Sequence, residues 1–196
     1  SYGEAFDNQY SSSRFRAADG ERDRKLDAMA NVAARGESLT EQLLHEWSFA
    51  DVSRDVAQAG AILIEYIDDD GILSLDLPTV LERHGSVPGV TLTEALLEEA
   101  LTAVQHSLDP PGIAARDKQE CLLLQVDALS EHEDDPEIDW DDVRLLITEH
   151  FDDLLQNRLP RIVERSELSL ERIDAAKTLM RRLNLSPGRD LVDVTP

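Results

Sequence analysis

The run Asp68-Asp69-Asp70-Gly71 is the first place where residue types suggest chemistry, because it resembles part of a calcium-binding loop. In such a loop an invariant glycine fixes the positions of the ligands around it. Aligning Gly71 with that glycine puts Tyr66 at the first ligand position and Leu77 where a bidentate glutamate is required. Neither residue carries a carboxylate, and aspartate favours turns because it bonds its own backbone. We therefore predict a type I turn or a helix stop here, and no metal site.

Other residue types that support catalysis are sparse or badly spaced. No two histidines stand in HxxxH or HxxEH spacing, so no helix face presents two imidazoles to zinc. The single cysteine, Cys121, lies in a leucine-rich run, where a small buried apolar side chain is the ordinary role. The patterns GxxxxGKS, GxxxxGKT, GxGxxG and GxSxG are absent from the sequence. We predict no catalytic residues, no metal, no cofactor and no enzymatic activity.

The formal net charge of −22 argues against binding to duplex DNA, because phosphate binding relies on clustered Lys and Arg. Residues 39–110 hold 14 acidic side chains and two basic ones, whereas residues 158–189 hold eight basic and four acidic. Two faces of opposite sign are therefore expected. The acidic face either steers association with a basic protein surface or is a solvated face that keeps the domain soluble.

The elements that position these residues are predicted to be helices. Aromatic residues make up only 5% of the chain, and leucine and alanine at helical spacing are typical of packed helices. We expect an all-α fold, with side-chain caps at the starts of most helices. The predicted helices begin or run at Ser38–Trp47, Val52–Ile67, Leu77–His84 (capped by Asp76), Thr91–Leu108 (capped by Thr91), Arg116–Leu129, Asp139 onwards with a kink or restart at Pro160, and Ser169–Leu183.

The Pro-Pro-Gly turn at residues 110–112 divides the chain, because proline cannot continue a helix and restricts its predecessor. We predict two small helical-bundle subdomains joined there. The expected division is a linker with a weak helix over residues 1–37, subdomains over 38–109 and 110–190, and a truncated linker over 191–196.

Cellular location is inferred from what the sequence lacks. No apolar run approaches the roughly 20 residues that cross a bilayer, and one cysteine excludes an internal disulfide. The chain begins at Ser1 without a charged and apolar leader. We expect a cytoplasmic location with no membrane contact, and an expressed fragment of a longer protein.

The stretch PPGIAARDKQECLLLQV, Pro110 to Val126, resembles the signature of the core-binding region of bacterial sigma-54 transcription factors. Three further blocks occur in the family's order: LTEQLLHEW (39–47), IDDDGILSLDLPTVLE (67–82) and RRLNLSPG (181–188). The chain departs from the family at Ile72 for tyrosine, Ala114 for glycine, Val126 for leucine, and Leu185-Ser186 for a more proline- and charge-rich pair.

The resemblance implies that residues of about 38–190 bind core RNA polymerase as part of a transcription initiation factor. Sigma-54 factors direct polymerase to a special promoter class under the control of activator ATPases, while nucleotidyl transfer belongs to the polymerase. Neither a glutamine- and leucine-rich activator-responsive region nor a helix-turn-helix is recognised in this sequence, so we expect no direct binding to promoter DNA or to the activator. The alternative is a free-standing acidic helical adaptor or anti-sigma-like regulator.

Candidate partner contacts are exposed charges and motif residues, since rim charges set steering and register. Three consecutive leucines, residues 122–124, cannot all face one core. Either their helix is packed between neighbours or one leucine contacts a partner. Trp47 lies on an apolar stripe and is expected in the core. The candidate partner-binding residues are Asp69, Asp70, Arg116, Glu120, Gln125, Arg158, Arg161, Arg181 and Arg182.

Overall fold

The structure is a computed structural model that describes residues 38–85 and 88–193. Within these ranges it contains ten helices and no β-strand, which confirms the all-α prediction. The predictions for residues 1–37 and 194–196 fall outside the described residues. The helices are α1 Leu39–Trp47, α2 Arg54–Ile64, α3 Leu77–His84, α4 Glu94–Ser107, α5 Lys118–Glu131, α6 Trp140–Glu149, α7 Phe151–Leu155, α8 Leu159–Ser166, α9 Leu170–Met180 and α10 Pro187–Asp193.

Several helices begin where a side-chain oxygen replaces a missing backbone acceptor. The carboxylate of Asp76 accepts from the Thr79 amide at the start of α3, and Pro78 occupies the first turn. Asp139 caps α6, and Ser169 caps α9 by accepting from the Arg172 amide. These three predicted caps are confirmed.

The predicted start of the fourth helix is wrong. Thr91 lies three residues before Glu94, as in a capping box, but it is the Thr93 hydroxyl that accepts from the Leu96 amide, and α4 begins at Glu94. The buried face of α4 includes Leu97 and Leu101. Leu92 is buried, but it precedes the helix.

The carboxy-terminal half contains more breaks than predicted. The helix that begins after Asp139 ends at Glu149, and α7 follows after His150. Pro160 lies at the start of α8, as expected for a restart. The last predicted helix, Ser169–Leu183, corresponds to α9, and a further helix that was not predicted, α10, begins at Pro187.

A first hydrophobic cluster is built from α1 to α4 and from the loop that ends at Ala114. Helix α2 packs against α4 and α1, and α10 returns to contact α1. Trp47 is buried in this cluster, as predicted, and its indole nitrogen donates to the Ala57 carbonyl at 2.9 Å. Gly60 permits the contact, because a Cβ there would lie 2.3 Å from the Trp47 ring.

A second hydrophobic cluster is built from α5 to α9, with Trp140 buried in it. Helix α6 packs against both α5 and α9. Leu122 belongs to this cluster, while Cys121 on another face of α5 lies against Gly112 of the Pro-Pro-Gly turn. Helix α5 is therefore packed between neighbours. All ten helices lie in one compact unit, and the division into two subdomains stays a prediction.

No helix in residues 38–85 and 88–193 combines the length and apolar character that spanning a bilayer requires.

Candidate functional site

The acidic run at residues 68–71 forms a tight turn, as predicted. The Gly71 amide donates to the Asp68 carbonyl at 2.9 Å, and Gly71 has a φ of 91°. One oxygen of the Asp68 carboxylate accepts from the amides of Asp70 and Ile72, each at 3.0 Å. The aspartate therefore bonds its own backbone, which is the geometry that this side chain favours in turns.

Residues 186–189 pack directly against this turn. The Gly188 amide donates to the Asp70 carbonyl at 3.1 Å. A Cβ on Gly188 would lie 2.5 Å from the Gly71 nitrogen and 2.6 Å from the Asp69 carbonyl oxygen, so no other residue fits. Arg189 Nε donates to the Asp70 carboxylate at 2.6 Å. Hydrogen bonds from Arg189 and Ser186 hold the pKa of Asp70 below its usual range.

The same turn is paired with the loop after the two prolines. The Ala114 amide donates to the Gly71 carbonyl, and the Leu73 amide donates to the Ala115 carbonyl, both at 2.8 Å. Ala114 has a φ of 66°, a left-handed conformation that glycine adopts most easily. This backbone geometry gives a physical reason for the glycine that the resemblance led us to expect at this position.

Helix α5 is bonded to the motif block of residues 181–188 through Gln125. Its amide nitrogen donates to the Asn184 carbonyl and its amide oxygen accepts from the Asn184 backbone, both at 2.7 Å. Lys118 Nζ donates to the Leu185 carbonyl at 2.9 Å and lies 3.8 Å from an oxygen of Asp70. We call the contact among residues 68–71, 110–126 and 184–189 the motif junction, because it brings three separate motif blocks together.

Arg116 and Glu120 lie at the edge of the motif junction and also make internal contacts. Arg116 pairs with Glu98 and with Glu120, the latter at 3.2 Å. Glu120 also accepts from Gln105 Nε2 at 2.6 Å. Asp70, Arg116, Glu120 and Gln125, all predicted to bind a partner, therefore have defined roles in holding the fold. The role in partner binding stays a prediction.

A second group of charges surrounds the buried carboxylate of Asp153. Three arginines of the α8 region approach it: Arg158 at 3.5 Å, Arg161 at 3.7 Å and Arg165 at 3.9 Å. Together with His150 they line an open cavity of about 400 Å³, which we call the arginine pocket. Arg158 and Arg161 were candidates from sequence. Arg165, Asp153 and His150 were missed, although the 158, 161, 165 spacing places three arginines on one helix face.

The remaining candidates are Asp69, which lies in the acidic turn of the motif junction, and Arg181 and Arg182, which lie outside both sites. Asp69 is exposed on the turn. Arg182 donates to Glu133 at 3.0 Å, lies 5.6 Å from the centre of the Trp140 ring, and lowers the pKa of Glu133. Arg181 is exposed and its side chain makes no hydrogen bond or ion pair with the part of the chain that the structure describes.

These features define a helical domain whose separated sequence motifs are brought together in one junction. The chain belongs to the sigma-54 factor family: the sequence model described as "Sigma-54 factor, core binding domain" matches residues 28–195. The resemblance noted from the motif blocks is thereby confirmed.

Individual relatives agree with this membership. The chain is 36% identical over 87% of its length to the RNA polymerase sigma-54 factor of Shewanella violacea. It is 32% identical over 82% of its length to that of Azotobacter vinelandii, and 30% identical over 73% to that of Salmonella typhimurium. The matched regions cover 32%, 31% and 28% of these relatives, so the chain spans about a third of their length.

Proposed function

We propose that this chain is the region through which a sigma-54 factor binds core RNA polymerase. The observation that carries the proposal is the match of a core binding domain model to residues 28–195. The motif junction supports it, because the blocks that identify the family fold into one shared structure. Binding, and not catalysis, is the function that follows.

The distribution of charge supports a protein partner. The excess of carboxylates in residues 39–110 produces a negative potential, which accelerates encounter with a basic surface and repels nucleic acid. We infer that this face steers the domain toward a basic patch of the polymerase. Promoter recognition and the response to activator ATPases are assigned to other parts of the complete factor, with no direct DNA contact by this domain.

The motif junction contributes indirectly to binding. Since Asp70, Gln125 and Gly188 connect distant segments through short contacts, they fix the relative positions of α5, α10 and the acidic turn between α2 and α3. A binding surface held in one geometry loses less conformational entropy when its partner docks. Polymerase contacts are therefore proposed among the charges that the junction leaves exposed, including Asp69, Arg161 and Arg181.

The test is binding of the 196-residue chain to bacterial core RNA polymerase by interferometry at low and moderate salt. We expect saturable binding that weakens with salt, because the proposed surface is charged. A complete sigma-54 factor should compete for the same site. The helical content of the chain is measured by circular dichroism in the same buffer, so that an absence of binding is not confused with an absence of folding. A folded chain that does not bind, or binding that a sigma-54 factor cannot displace, contradicts the proposal.

A further inference from the structure

The arginine pocket has more hydrogen-bond donors than acceptors. Each guanidinium carries five N–H groups. Among the described residues, the only side-chain hydrogen bond of the three arginines joins Arg158 to Asp153 at 3.5 Å. Arg161 and Arg165 lie within ion-pair distance of the same carboxylate but beyond hydrogen-bond distance. Most of the donors therefore remain available to a ligand.

Asp153 explains why the three arginines converge. Asp153 is only 8% exposed. Its backbone carbonyl accepts from the Arg158 amide at 2.8 Å, which fixes the start of α8. One buried carboxylate attracts all three guanidiniums but neutralises only one positive charge. We infer that Asp153 is a positioning residue, which holds the arginines together without satisfying them.

His150 is a second sign that the pocket is built for a polar group. The residue is 8% exposed, and its ring makes no hydrogen bond with the described residues. It lies in the wall of the cavity beside the arginines. Its ring nitrogens are not among the fully buried unpaired side-chain atoms of the described residues, so they remain accessible from the cavity. His150 therefore offers a further polar contact in the wall of the cavity.

The sign pattern around the cavity favours a polypeptide over a phosphate chain. The side chains of Glu149 and Asp152 also line it, so positive and negative groups are mixed. A nucleic acid backbone brings repeated negative charge and is repelled by these carboxylates and by the net charge of −22. A peptide segment places carboxylates on the arginines and its own N–H groups near Glu149 and Asp152.

We propose that the arginine pocket binds an acidic polypeptide segment of core RNA polymerase, with one or two of its Asp or Glu side chains on Arg161 and Arg165. The inference rests on the proposed function and adds the chemistry of one contact to it. It also extends that contact to Arg165, Asp153 and His150, which form one cavity with the two arginines named from sequence.

The experiment compares two double variants of the 196-residue chain in binding to core polymerase. R161Q/R165Q removes two charges from the pocket and leaves Arg158 to pair with Asp153. R144Q/K177Q makes the same change in net charge at two basic residues that lie outside both the pocket and the acidic face of residues 39–110. We expect about tenfold weaker binding for the pocket variant and less than about twofold for the control, since charge pairs act at short range.

The possible failures are distinguishable. If the wild-type chain does not bind polymerase, the proposed function falls and this inference falls with it. If wild type binds polymerase and R161Q/R165Q binds equally well, only this inference falls. The same holds if the pocket variant and the control variant lose the same amount of affinity for polymerase. Loss of affinity for a short DNA duplex with unchanged polymerase binding would identify a nucleic acid partner and also overturn it.

Cross-linking tests the inference without altering the pocket. The photoreactive p-benzoylphenylalanine replaces Glu164, an exposed residue on α8 beside the arginines. We expect an adduct with a polymerase peptide that contains neighbouring Asp or Glu residues. An adduct only with segments that lack carboxylates overturns the inference, even if the glutamine variants fail to fold.

Discussion

In the motif junction, polar groups from three distant segments are paired with one another, whereas in the arginine pocket most donors have no acceptor among the described residues. Gln125 uses both ends of its amide on the backbone of Asn184. Arg161 and Arg165, by contrast, share one carboxylate at 3.7 and 3.9 Å. Family motifs and partner contacts therefore need not coincide. The motif residues that are paired with one another serve the fold, and we assign the binding chemistry to exposed charges that these contacts leave available.

The largest expected effect is on the motif junction, at Gly188. Gly188→Ala places a Cβ within 2.6 Å of backbone atoms of the acidic turn, and backbone cannot yield as a side chain can. We expect a loss of about 3 kcal/mol in the free energy of unfolding, measured by urea titration. Gly85→Ala is the control, because its nearest neighbour would be 3.2 Å away and its φ of −51° suits any residue. If Gly188→Ala and Gly85→Ala lowered the free energy of unfolding equally, the motif junction would not be the rigid part of the molecule.

The next effect is expected at Gln125. Gln125→Ala leaves the amide and the carbonyl of Asn184 without their 2.7 Å partners in a part-buried position. We expect a loss of about 2 kcal/mol, since an unpaired buried group costs more than its bond contributes. The exposed Gln156→Ala is the control and should change the free energy of unfolding little. A Gln125 variant as stable as the control would mean that water replaces the amide without cost.

A smaller effect, dependent on pH, is expected at Asp70. Hydrogen bonds from Arg189 and Ser186 lower its folded pKa, so its contribution to stability is present above the unfolded pKa and is lost as pH falls through the folded one. The difference in urea midpoint between wild type and Asp70→Asn should therefore be largest near neutral pH and disappear in acid. A difference independent of pH would show that the charge of Asp70 contributes nothing.

The smallest expected effect on stability is in the arginine pocket. Arg161 and Arg165 have side chains 46% and 54% exposed, and ion pairs of this kind contribute little. R161Q/R165Q should therefore change the free energy of unfolding by less than about 1 kcal/mol. Thermal and urea unfolding measure this directly. A destabilisation as large as that of Gly188→Ala would make the pocket a structural element like the motif junction.

The helical architecture could be predicted from sequence because its signals are local. Asp76, Asp139 and Ser169 each act on an amide two or three residues away, so a short pattern is enough to identify the cap. Thr91 and Thr93 show the limit of this reasoning. Glu94 follows both, and the hydroxyl that accepts from the Leu96 amide at the start of α4 is that of Thr93.

The contacts that close the fold could not be predicted, because they are long-range. Asp70 and Arg189 are 119 residues apart in sequence, and no local pattern joins them. The last predicted helix ends at Leu183, yet Pro187 begins α10, and Gly188 in its first turn lies against the distant acidic turn. The candidate residues Asp70 and Gln125 were selected for their motifs, which could not reveal that each has an internal partner.

Trp47 and Trp140 are intrinsic fluorescence probes, one in each hydrophobic cluster. The chain has two tryptophans, and each hydrophobic cluster buries one of them. In W140F the remaining indole reports on the cluster of α1 to α4, and in W47F it reports on the cluster of α5 to α9. Coincident fluorescence transitions would mean that both clusters unfold as one cooperative unit, while separate transitions would reveal two folding units linked by the motif junction.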